Sequence, residues 1–159
     1  METQHNTLFV AFASQKGGVG KSTFTSLVAS AMHYRLGYNV AVFDCDFPQY
    51  SLVQMRARDM KTVMENEAFK KMAHRQFTAL NKKAYPILQQ KAETVLEAAQ
   101  EFIASWSQYS IGSMVILHHI SIAGNLLAAL KPWEGDSACS FIPGKVASAF
   151  SFCAAVHPA

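Results

Sequence analysis

At 159 residues the chain is sized for one domain, long enough to bury about two-thirds of the surface its unfolded form exposes. Half of its residues are hydrophobic and 16% are charged, which excludes a chain disordered throughout, and a net charge of +3 is too small to argue for nucleic acid by itself. Cys45, Cys139 and Cys153 match no metal-site spacing and no paired disulfide framework, and Met1 to Thr7 shows no basic stretch before an apolar one, so a reduced, cytoplasmic protein without a signal peptide is expected.

The first predicted element is a strand over 8–13, a short apolar run. A loop over 14–21 follows, then a helix over 22–36 in which Phe24, Leu27, Val28, Ala31 and Met32 recur at helical spacing and are expected to pack on a sheet. Between strand and helix runs Lys16-Gly17-Gly18-Val19-Gly20-Lys21-Ser22-Thr23. Gly17, Gly18 and Gly20 let the backbone turn tightly and bring its N–H groups against an anion. The helix N-terminus adds about half a positive charge at the same place. Lys21 is then expected to reach the β- and γ-phosphates of a nucleotide, and the Ser22 hydroxyl to ligate Mg²⁺. Gln15 stands where the plain G-x-x-x-x-G-K-[ST] pattern has its first glycine, and an extra lysine, Lys16, lies five residues ahead of Lys21.

Tyr38 to Phe43 reads as the second strand, over 38–44, entered through Gly37, which suits the residue just past a helix end. Strand, helix and strand make a β-α-β unit, hence a parallel pair with a right-handed crossover. The strand ends in Asp44-Cys45-Asp46-Phe47-Pro48-Gln49, placing two carboxylates at the edge where parallel sheets bind ligands. Alternation turns Cys45 away from both aspartates, as a packing residue.

The K-G-G-x-G-K-[ST] arrangement is similar to the deviant Walker A motif of the ParA/MinD family of ATPases, and Asp44 to Gln49 resembles that family's D-x-D-P-Q motif with Phe47 inserted before Pro48. The resemblance implies that Gly17, Gly18, Val19, Gly20, Lys21, Ser22 and Thr23 hold ATP. It also implies that Ser22 and, through water, Asp44 hold Mg²⁺, that Asp46 orients the attacking water, and that Lys16 crosses a dimer interface to touch the partner's phosphates. It covers about residues 7–105. The stretches around Gly17–Ser22, Tyr38–Gln49 and Asp59–Lys83 most resemble the ParA-like proteins, often called TraA, of conjugative-transposon transfer regions.

Residues 50–83 read as helical. Eight cations (Arg56, Arg58, Lys61, Lys70, Lys71, Arg75, Lys82 and Lys83) stand against Asp59, Glu65 and Glu67, a net +5 that is either a patch for DNA phosphates or a solvated helix face. Pro86 is expected to start a helix over 87–105 with Ile87, Lys91, Val95, Ala99 and Phe102 along one side.

After about residue 101 the character changes: twenty-one charged side chains precede that point and four follow, Lys131, Glu134, Asp136 and Lys145. Met114 to Leu117 reads as a buried strand running into His118 and His119. A ParA-like chain should close this strand with an aspartate, and none is present. The two histidines face opposite ways with no third ligand, so they read as ordinary polar residues rather than a metal site. Ile111 to Leu130 approaches membrane-spanning length, but His118, His119 and Asn125 interrupt it, so no span is expected. The last twenty-five residues show no helical or strand period.

The expected fold is therefore α/β: a P-loop NTPase-like parallel sheet with flanking helices, incomplete on its C-terminal side. It divides into a ParA-like nucleotide-binding region, 1–105, and an atypical tail, 106–159. By resemblance the chain is an ATP-binding, weakly hydrolysing switch that forms an ATP-dependent homodimer and serves partition or conjugal transfer of a mobile element, with DNA and a partner protein as partners. The alternative is a truncated or frameshifted, non-catalytic fragment that binds little nucleotide. A third reading, an electron carrier like the nitrogenase iron protein, would need cluster-ligating cysteines on the dimer axis.

Overall fold

A computed structural model describes residues 7–13, 20–105, 112–118, 140–143 and 151–157. In chain order these form β1 (Thr7–Ala13), α1 (Lys21–Ser30) continued by a π-helical turn at Ala31–Arg35, β2 (Asn39–Asp44), α2 (Ser51–Glu65), α3 (Glu67–Leu80), β3 (Ile87–Gln89), α4 (Val95–Ala104), β4 (Ser113–His118), β5 (Ser140–Pro143) and β6 (Ser151–His157). The strands make one sheet in the order β3-β2-β4-β1-β6-β5. β1, β2, β3 and β4 are parallel, and β6 runs antiparallel to β1, as β5 does to β6. The fold is α/β, a parallel four-stranded core with flanking helices, as the sequence leads one to expect.

Two-residue alternation builds the two faces. Phe9 and Ala11 of β1, Ala41 and Phe43 of β2, and Val115 and Leu117 of β4 pack beneath Val95 and Ala99 of α4. Val10, Val40, Val42, Met114 and Ile116 point the other way, against Ala29 of α1 and Leu52 of α2. All six residues of β4 are buried, as a strand covered on both faces requires. Ile116 is fully buried between the two strands, paired with Val10 and with Val42. Ile116→Ala is expected to cost about 2–5 kcal/mol, seen as a lower urea midpoint at unchanged slope.

Three expectations need correction. The parallel pair expected of β1 and β2 is split, because β4 lies between them and hydrogen-bonds both. β4 is apolar on both faces, so its burial is best satisfied at the centre of the sheet. Pro86 starts a strand rather than a helix: Ile87–Gln89 lines up beside Val42–Asp44. The Pro86 carbonyl accepts from Val42 N at 3.0 Å, and Gln90 N donates to the Asp44 carbonyl at 3.1 Å. The helix begins only at Val95, leaving Ile87 and Lys91 outside it, while Val95 and Ala99 are buried and Phe102 stands edge-on to Phe43. Finally, the last twenty-five residues hold β5 and β6 despite their lack of a visible period.

The helical stretch 50–83 breaks at Asn66, whose Oδ1 accepts from Ala68 N (2.9 Å) and Phe69 N (3.2 Å) and caps α3. Asn66→Ala is expected to weaken α3 by about 1 kcal/mol, measurable as faster amide exchange confined to that helix. Two of the eight cations noted above tie this helical pair to the sheet. Lys82 Nζ donates to the carbonyls of Gly37 (2.6 Å) and Tyr38 (2.9 Å), and Arg56 lies 4.6 Å from the centre of the Tyr85 ring. Among the described residues no helix is long and apolar enough to cross a membrane.

Candidate functional site

The site gathers at the C-terminal ends of β1, β2 and β4, the edge at which parallel sheets leave room for ligands. Lys16, Gly17, Gly18 and Val19 lie outside the described residues. Gly20 opens α1 at φ +84°, a left-handed conformation that favours glycine, and its carbonyl accepts from Phe24 N at 2.9 Å. Lys21, the first residue of the helix, is 9% exposed. Ser22 is half-buried and Thr23 exposed on the same first turn.

Asp44 ends β2 completely buried. Its Oδ2 accepts from Leu52 N (2.8 Å) and Val53 N (3.1 Å), so the carboxylate sits at the positive N-terminus of α2. Its Oδ1 accepts from Asp46 N at 3.3 Å and meets His118 Nδ1 at 3.1 Å. Burial by itself would raise this carboxyl. The His118 hydrogen bond, with the Val53 and Asp46 N–H groups, more than offsets that and holds it below its ordinary value. Asp46 is half-buried in the turn that follows. Cys45 packs in the core, as alternation requires, and burial beside Asp44 and Glu93 pushes its thiol up to about 12.

The residue that sequence reasoning misjudged is His118. Far from an ordinary polar residue, it is fully buried at the end of β4, directly beside Asp44 in the sheet register. Its Nε2 lies 3.2 Å from Ser22 Oγ, which is also 3.1 Å from Ser51 Oγ. An ionised carboxylate can only accept, so in the neutral imidazole Nδ1 carries the proton and Nε2 turns its lone pair to the Ser22 hydroxyl. The chain thus runs Asp44, His118, Ser22, Ser51. The signal that could have found it was positional: His118 closes the strand that a ParA-like chain closes with an aspartate. Ser51 had no such signal, since α2 brings it in from twenty-nine residues away.

Phosphate and a divalent ion fit what is placed here. Lys21 could supply charge, the first turn of α1 N–H groups, and Ser22 a hydroxyl ligand, with the buried Asp44 carboxylate behind it through His118.

A family model described as ParA, NUBPL iron-transfer P-loop NTPase, matches residues 5–97. The flagellum site-determining protein YlxH of Helicobacter pylori is 47% identical over 45 residues, covering 28% of this chain and 15% of that protein. Iron-sulfur cluster carrier proteins of Mycobacterium bovis and Mycobacterium tuberculosis are each 32% identical over 147 residues, covering 84% of this chain and 33% of theirs. The chain therefore spans a third or less of the length of these relatives. Their names are not those of conjugal-transfer proteins, so they lend no support to a special closeness to the TraA type. No solved structure matches the chain. With a parallel sheet that links Ser22 to Asp44 through His118, and a family match running through residues 5–97, the chain belongs to the ParA family of P-loop NTPases.

Proposed function

We propose that this chain binds ATP with a divalent ion at residues 16–23 and works as a nucleotide-driven switch with weak hydrolysis. The observation that carries the reading is the meeting of the α1 N-terminus, with Lys21 and Ser22, and the carboxylate end of β2 at one sheet edge. Gly17, Gly18, Val19, Gly20 and Thr23 complete the phosphate cradle. Ser22 would be a ligand of the metal, Mg²⁺ in most of the family's kin, with Asp44 behind it through His118. An ion held there would supply positive charge to the transferring phosphoryl group. Asp46, its backbone N–H held by Asp44, orients the attacking water. Lys16 acts across an ATP-dependent homodimer, as an arginine finger does.

The cargo we favour is DNA of a mobile element, handled with a partner protein in the cytoplasm during partition or transfer. Its support is the cationic helical pair α2–α3 and the resemblance over residues 59–83. Binding through phosphates should weaken steeply with salt. The mycobacterial relatives' name suggests an iron–sulfur cargo instead; Cys45 is poorly suited to it, its thiol being buried and held protonated, while the side chains of Cys139 and Cys153 lie outside what is described.

A second reading, a non-catalytic fragment with little nucleotide binding, is favoured by one observation: β4 ends in His118 where an aspartate is expected. A thermal melt with and without excess Mg-ATP separates the two. Saturation at about a hundred times the dissociation constant adds roughly 2.7 kcal/mol, a shift of several degrees. A cooperative melt that fails to move, with Mg²⁺ and with Mn²⁺, refutes the switch.

A further inference from the structure

We infer that the metal position of this site is built for a borderline transition ion such as Co²⁺ in preference to Mg²⁺, with His118 Nε2 as a ligand beside Ser22 Oγ. The inference rests on the nucleotide-binding reading above and goes further by naming the ion.

Three features of the geometry carry it. The first is separation. Two ligands at about 2.1 Å from one ion stand about 3.0 Å apart at an octahedral angle and about 3.4 Å apart at a tetrahedral one. Ser22 Oγ and His118 Nε2 are 3.2 Å apart, so an ion can replace the hydrogen bond between them without moving either element. The second is orientation. A metal-binding histidine characteristically donates its other ring N–H to a carboxylate, which fixes the tautomer and makes the ligating nitrogen more basic. His118 Nδ1 has that partner in Asp44 at 3.1 Å, and the two side chains are 1% and 0% exposed. Asp44 is fixed in turn by the backbone of Leu52 and Val53. The third is donor type. Mg²⁺ demands oxygen ligands in near-ideal octahedral array, whereas imidazole suits the later first-row ions. Ser51 Oγ, 3.1 Å from Ser22 Oγ, offers a further oxygen, and phosphate oxygens and water complete the shell. Asp44 is here a positioning residue, acting on the ion through His118.

The test uses the full chain labelled with ¹⁵N-histidine, so that adenine nitrogens are not confused with the protein's. Mn²⁺ with a non-hydrolysable ATP analogue is examined by electron spin echo spectroscopy. Analogue affinity is then measured with Mg²⁺ and with Co²⁺, for the parent and for His118→Gln and His118→Asn, each first shown by its melt to be folded. His118→Gln sets an amide at about the same reach without adding charge, and His118→Asn withdraws it. The expected result is a ¹⁵N coupling to Mn²⁺ and a preference for Co²⁺ over Mg²⁺ about tenfold larger in the parent than in either variant. Analogue binding without a ¹⁵N coupling, with one Co²⁺-to-Mg²⁺ ratio shared by all three proteins, overturns the ion assignment and leaves the nucleotide site standing. Binding with none of the three ions overturns the nucleotide site and the assignment with it.

Discussion

Lys21→Ala is expected to abolish detectable nucleotide binding. Lys21 is buried at the first position of α1, so an ammonium there meets a bound phosphate with little bulk water to screen it. A charge-assisted hydrogen bond to phosphate contributes up to about 3 kcal/mol, and its loss alone weakens binding about a hundredfold. The measurement is a titration with a fluorescent ATP analogue, run beside a thermal melt showing the variant still folded. Equal affinity in variant and parent would remove Lys21 from the site. Lys16→Ala should behave differently: if Lys16 works only across a dimer, affinity for ATP is retained and turnover per dimer falls.

Asp44→Ala is expected to destabilise the fold by about 3–5 kcal/mol, a large part of a small domain's stability. It strips the acceptor from Leu52 N, Val53 N and His118 Nδ1 at once, in a place water does not reach. Chemical denaturation measures the loss, and a change under 1 kcal/mol would mean the carboxylate is not the anchor described. Asp44→Asn should cost less, since its amide oxygen still accepts from α2. Its NH₂ then faces His118 Nδ1 and forces the opposite tautomer, turning Nε2 into a donor. That variant should therefore keep the fold and lose the transition-metal preference.

The same carboxylate predicts the acid limb of stability. Its folded pKa is depressed, so its contribution is complete above the unfolded value of 3.8 and is lost as pH falls through the lower folded value. His33 acts earlier. Burial pushes its pKa down from 6.5, so stability also falls as pH drops below that value, where the unfolded chain takes up a proton that the folded one resists. Urea midpoints should decline in these two windows, and Asp44→Asn should flatten only the lower one. Persistence of the lower limb in Asp44→Asn would assign it to other carboxylates.

The strand–turn–helix around Gly20 was legible because its signals are local. Gly20, Lys21 and Ser22 are adjacent in sequence, and a strand before them and a helix after them are enough to aim them. Asp44 was legible for a similar reason, standing at the end of a β-branched run. The helix placed over 87–105 fails at its start for a physical reason that sequence hides. Ile87 and Leu88 gain more from lying against the edge of β2 than from extending α4, and that edge is forty-five residues away in the chain. His118 was legible as a residue at a strand end and illegible as part of a site.

What the sequence determined by itself is the short-range part: an α/β chain, a helix opening at Lys21, and two aspartates at a strand terminus. Each follows from neighbours within one turn or one strand. What only the tertiary structure decided is the order of the strands and, through it, the company each residue keeps. β4 enters between β1 and β2 because it is apolar on both faces and a central position alone buries both. That placement brings His118 ninety-six residues along the chain to Ser22 and seventy-four to Asp44. Hydrophobic burial chose the strand order without regard to the imidazole at its end, and the strand order put that imidazole between Ser22 and Asp44.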